Sequence, residues 1–141
     1  MSNLILKINK NKLLAASIGI IYIWFGLLKF FPELSPADGL AKQTISLITF
    51  GFIPEKISII MLAIIEVSIG LLLVFNYQLK KVIIAALVHL LMTFIPVLFF
   101  PDISFEAPFV LTLVGQYIMK NIVIICALLF IYPIEVAMKT H

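Results

Sequence analysis

Four long apolar runs, at 13–31, 57–75, 82–100 and 109–132, decide what this chain can fold into. About 20 helical residues at 1.5 Å rise cross a ~30 Å hydrocarbon layer. Each run is that long or nearly so. The fourth exceeds the need and predicts either a tilted helix or a first turn in the interface. With 63% hydrophobic and 12% charged residues, a soluble fold could not hide the apolar surface. The expected fold is therefore an all-α membrane protein: one domain of 141 residues, a bundle of four transmembrane helices.

The first run follows Lys7, Lys10 and Lys12, as a signal peptide would. Its apolar stretch is too long for a signal, and the bulky 27–31 segment offers no small-residue cleavage site, which points to an uncleaved helix. Lysine distribution sets the expected orientation. Lys7, Lys10, Lys12, Lys80, Lys81 and Lys139 fall in the two tails and the 76–81 turn. Glu33, Asp38, Glu55, Asp102 and Glu106 collect in the other two loops, with Lys42 and Lys56. Both termini are expected in the cytoplasm. Tyr77 and Tyr132 suit interfacial belts, and Trp24 and Tyr22 fit them less well.

The first long loop holds Ser35-Pro36-Ala37-Asp38, which reads as an N-cap, a proline at the first helical position and an acid in the first turn. Leu40, Thr44, Leu47 and Ile48 follow at helical spacing, with Gly51 as a stop. A short amphipathic helix over about 36–50 is expected on the outer surface or capping the bundle. The second loop, 101–108, is short and acidic.

Polar residues inside the runs are costly in lipid and must face protein or water. The first run has Tyr22, Gly26 and Lys29 at i, i+4 and i+7; the second has Glu66 and Gly70; the third has His89, Thr93 and Pro96. The fourth has Gln116, Tyr117, Lys120 and Asn121, two i, i+4 pairs on one stripe. Counted from the run edges, Glu66 lies roughly 14 Å deep and His89 roughly 17 Å; Lys120 lies roughly 17 Å deep if its helix starts at Phe109, or roughly 10 Å if it starts near Leu113. The expectation is a Glu66–Lys120 ion pair with His89, Gln116, Tyr117 and Asn121 around it, since pairing keeps both charges at lower cost. Such a cluster suits a polar headgroup, a proton path or a quinone carbonyl; a structural clasp that only fixes register is the alternative. Lys29, two residues from its edge, either snorkels outward or joins the site. His89 is either a hydrogen-bonded core histidine or a relay member.

Other chemistries find little purchase. His89 and Glu66 are too few ligands for a metal, and none is expected. The ten basic residues are all lysine, so nucleic acid is not an expected partner. The one cysteine, Cys126, reads as a small buried hydrophobe and cannot form an intrachain disulfide. Ala15 and Gly19 form a small-x-x-x-small pair that permits close helix contact. No self-contained redox or hydrolytic centre is visible in the residues.

Tyr22-Ile23-Trp24-Phe25-Gly26-Leu27-Leu28-Lys29-Phe30 resembles the first-helix signature of the DoxX-like membrane proteins. Glu66-Val67-Ser68-Ile69-Gly70-Leu71-Leu72 is similar to their second-helix acid followed by glycine, and 115–121 to their fourth-helix stretch. The resemblance spans about residues 15–132. It implies a four-helix bundle in the bacterial inner membrane, with Gly26, Lys29, Glu66, Lys120 and Asn121 at family-type positions. The family takes its name from a subunit of a thiosulfate:quinone oxidoreductase, but nothing in this chain supplies a haem, flavin or cysteine-based centre. Three functions follow as expectations. One is an accessory subunit or quinone- or lipid-binding component of a membrane redox system, with membrane lipid and a redox partner subunit or a second copy as partners. The others are a structural or assembly protein and a small proton or solute carrier.

Overall fold

The computed structural model describes residues 9–31, 34–35 and 38–133. Lys7, Glu33, Pro36 and Lys139, used in the sequence reading, lie outside them. Helix α1 (Lys10–Leu28) starts three residues earlier than its apolar run, because the Asn9 side chain caps it by accepting from the Asn11 and Lys12 amides at 3.1 and 3.2 Å. After α2 (Asp38–Ile48) comes α3 (Glu55–Val74), then α4 (Leu79–Met92) and α5 (Ile95–Phe99). A four-residue helix α6 (Pro101–Ser104) leads into strands β1 (Phe105–Ala107) and β2 (Val110–Leu111). Helices α7 (Leu113–Met119) and α8 (Asn121–Ile131) complete the described chain.

Four helical stretches are long and apolar enough to cross a membrane: 10–28, 55–74, 79–99 and 113–131. Within each, between 22% and 39% of the most apolar window is buried by the protein itself. The rest of that apolar surface faces outward, as lipid solvation requires. Cys126 and Trp24 lie on these outward faces, so the cysteine is not the buried hydrophobe that its apolar surroundings imply.

The 79–99 stretch is interrupted at Thr93 and Phe94, because Pro96 has no amide to give and its ring displaces the preceding turn. The fourth stretch begins at Leu113, not at 109. Its N-cap is Thr112, whose hydroxyl accepts from the Gly115 amide at 3.1 Å and donates to the Ile103 carbonyl at 2.6 Å. Residues 105–111 instead form an antiparallel hairpin, the one departure from the all-α expectation among the described residues. Pro108 at the first central turn position and Phe109 with φ of 63° at the second match a type II turn. Thr112→Ala removes the cap and the tether to Ile103 together. It is expected to cost about 1–2 kcal/mol, read as a lowered unfolding midpoint in detergent.

Helix α2 is shorter than the expected 36–50, and Pro36 and Ala37 lie outside the described residues. It ends in a Schellman motif: the Gly51 amide reaches the Ser46 carbonyl at 2.9 Å, with Phe50 at φ 52° in the left-handed position. Gly51 therefore stops the helix one position later than a C-cap glycine normally sits. The α3–α4 turn uses the same device with Asn76 at φ 55° and the Tyr77 amide on the Leu72 carbonyl at 2.9 Å. On the surface of α2 the Asp38 carboxylate lies 2.7 Å from Lys42, and this hydrogen bond raises the amine's pKa above its usual value.

The α1–α3 interface is by far the most extensive in the molecule. The helices run antiparallel with backbones nearly touching. A Cβ on Gly19 would fall 2.6 Å from the Gly70 carbonyl, and one on Gly26 would fall 2.9 Å from the Val67 side chain and 3.0 Å from that of Glu66. The small pair of Ala15 and Gly19 is thus consumed within the chain. Gly26 sits two residues from the end of α1, whereas Glu66 sits eleven residues into α3. At 1.5 Å per residue α3 overshoots α1 by roughly 13 Å at this end. Ser35 and α2 lie over the space beside Lys29. A core of Ile18, Tyr22, Ile69, Leu73, Ile83, Ala86, Leu90, Leu128 and Ile131 joins α1, α3, α4 and α8 below it.

Candidate functional site: a buried ionic chain beside two cavities

Because α1 ends deep in the molecule, Lys29 is not an edge lysine. Its ammonium turns inward and pairs with the Glu66 Oε2 at 2.6 Å, and both side chains are 8% exposed. This overturns the expected Glu66–Lys120 pair: the acid takes its amine from α1, one turn beyond the glycine that lets α1 approach it. The other carboxylate oxygen, Oε1, lies 3.2 Å from His89 Nε2 on α4. His89 Nδ1 in turn lies 3.1 Å from the Tyr22 hydroxyl, which is also 3.3 Å from the Ala86 carbonyl. Tyr22, Gly26 and Lys29 share one face of α1 at i, i+4, i+7, so a single helix supplies both ends of the chain Tyr22–His89–Glu66–Lys29.

The chemistry of this chain follows from counting protons. An ionised carboxylate only accepts, so Nε2 of His89 carries a proton toward Glu66. If the imidazole is neutral, Nδ1 accepts and Tyr22 donates to it. If the imidazole is charged, Nδ1 donates to the Tyr22 oxygen, and the hydroxyl turns to the Ala86 carbonyl. With two acceptors around one hydroxyl, neither form of the imidazole leaves a buried donor facing a donor.

A second polar pair lies alongside. The Asn121 amide donates to Thr93 Oγ1 at 2.9 Å, and that hydroxyl donates to the Leu90 carbonyl at 2.6 Å. Thr93 is the residue at which the proline break ends α4, and Asn121 opens α8. Lys120, next to Asn121, stacks its ammonium on rings: 4.3 Å from the Tyr117 centroid and 5.0 Å from that of Phe25.

Two cavities meet at these groups. One, of about 150 Å³, lies between α1 and α7–α8, with Phe25, Tyr117 and Lys120 at its walls and Glu66 and His89 within its lining. The other, of about 230 Å³, lies beneath α2, whose Leu40, Ala41, Thr44, Ile45 and Ile48 cover it. Lys29, Glu66, His89, Thr93, Tyr117 and Asn121 line both. Of the candidate residues, Gln116 alone stays outside: its side chain is exposed and reaches the Leu111 carbonyl at 3.4 Å.

Tyr22 and Thr93, noted in the sequence only as polar residues of their runs and not as site residues, belong to the site. For Tyr22 the available signal was its spacing to Lys29. For Thr93 it was a hydroxyl one turn after His89 and just before a proline. Among the described residues no group of three metal-ligating side chains occurs. No family model, characterised protein or solved structure matches this chain. The fold and the site on their own define a helical chain with four membrane-length apolar stretches around a buried, hydrogen-bonded ionic cluster.

Proposed function

We propose that this chain is a multi-pass protein of the bacterial inner membrane, a four-helix bundle with both termini in the cytoplasm. It holds the polar head of a lipid-like amphiphile, a quinone or a lipid, at the buried cluster. In this reading it serves as a DoxX-like accessory component of a membrane redox system, and the electron-transferring centre belongs to a partner subunit. Lysines near both chain ends and in the α3–α4 turn support the orientation.

The observation that carries the proposal is the cleft between α1 and α7–α8. It has aromatic walls at Phe25 and Tyr117, and the Lys29–Glu66–His89 chain is part of its lining. An amphiphile could bring its head from the bilayer to hydrogen-bonding groups without leaving lipid. A clasp that only fixes helix register accounts for the Lys29–Glu66 pair, but gives no role to the two cavities or to Lys120.

The test is Glu66→Gln, which keeps the shape and removes the charge. Binding of a short-chain quinone analogue to the purified protein is expected to weaken about tenfold or more, because Lys29 and His89, which the carboxylate holds in the cleft lining, lose their anchor. Unchanged binding would remove Glu66 from the site.

A further inference from the structure

Lys120 is the one amine or acid among the described residues lining the cleft that the hydrogen-bonded chain does not engage. Among the described residues no carboxylate lies within ion-pair distance of it. Glu66, the acid that shares its cavity, is already spent: one oxygen is taken by Lys29 and the other by His89. The cleft thus holds two amines against one acid, an excess of one positive charge when His89 is neutral. Lys120 sits seven residues into a membrane-length stretch, roughly 10 Å from its end. A cation at that depth is costly. The Phe25 and Tyr117 rings offset part of the cost by facing the ammonium with their negative π-clouds. They hold the amine at the cleft wall and do not neutralise it.

We infer that the ligand of this cleft carries the missing charge: an amphiphile with an anionic head, phosphate or carboxylate, for which Lys120 is the counter-ion. This rests on the amphiphile-binding reading above and narrows it. A cavity of about 150 Å³ suits a head and not a whole lipid. The acyl chain would lie in the bilayer along Ile21 and Ile124, the apolar residues that flank the same cleft. An anion seated there shares its lining with Lys120 and with the Asn121 and Thr93 pair.

The experiment uses the full chain, purified in a neutral detergent, with binding counted by native mass spectrometry. Phosphatidylglycerol, phosphatidylcholine, decyl-ubiquinone and inorganic phosphate are the probes. One phosphatidylglycerol per chain is expected, at least tenfold preferred over phosphatidylcholine. Lys120→Gln is expected to abolish that preference and Lys120→Arg to keep it, with unfolding midpoints showing both variants folded. Phosphatidylglycerol held equally by Lys120→Gln overturns the inference. Decyl-ubiquinone bound in preference, and indifferent to Lys120→Gln, also overturns it but leaves the amphiphile reading standing. Inorganic phosphate that competes through Lys120 supports the anion site and assigns its source to a soluble ion. No binding of any amphiphile overturns both the inference and the reading beneath it.

Discussion

Glu66→Ala is expected to destabilise the protein by about 3–5 kcal/mol, because it strands the Lys29 ammonium in a site only 8% exposed. The same substitution deprives His89 Nε2 of its acceptor. The effect depends on whether a charge is left without its partner. Removing both charges at once, in Lys29→Met with Glu66→Leu, leaves no uncompensated ion and is expected to recover most of the loss. Chemical unfolding in detergent, followed by far-UV circular dichroism, checks both variants. Equal losses in the single and the double variant would show that the pair does not carry the effect. Lys120→Met is the contrast. Lys120 has no carboxylate partner among the described residues, so its removal is expected to cost less than 1 kcal/mol in protein free of ligand.

Gly70→Val is the second large effect. Even the Cβ would lie 2.6 Å from the Gly19 carbonyl, 2.7 Å from the Ile23 side chain and 2.8 Å from the Ile23 amide nitrogen. Two of those three are backbone atoms and cannot rotate away, so α1 and α3 must separate. Overpacking of this kind costs about 1–3 kcal/mol and here sits in the largest interface of the molecule. The separation also draws Lys29 away from Glu66, which α1 brings within reach only by lying against α3. Gly70→Val is therefore expected to lower both the unfolding midpoint and the binding of any cleft ligand. A midpoint within 1 °C of the parent would show that the helices do not pack at this contact.

The four spans were legible because lipid solvation imposes a length and a composition that no soluble fold needs. Their ends were less so, since caps rather than hydropathy set them. Asn9 draws α1 out into a polar tail, and Thr112 with Pro108 turns three apolar residues of the fourth run into a hairpin. The identity of the polar residues in the cluster was also legible, but not their pairing. Counting depth from run edges assumes that all edges lie at one level. The overshoot of α3 past α1 breaks that assumption, so Lys29 meets Glu66 and Lys120 does not. Gly26 was the sequence clue: a glycine one turn from a lysine marks where a neighbouring backbone comes closest, and so which helix supplies the counter-charge.

The near-contact of the Gly19 and Gly70 backbones has a mechanical consequence. Two helices locked that closely move as one rigid jaw, with Lys29 and Glu66 fixed in its bite. Helices α4 and α8 share far smaller interfaces with that jaw and with each other. The cleft is walled on one side by that rigid pair and on the other by α7 and α8, which meet α1 over a far smaller area.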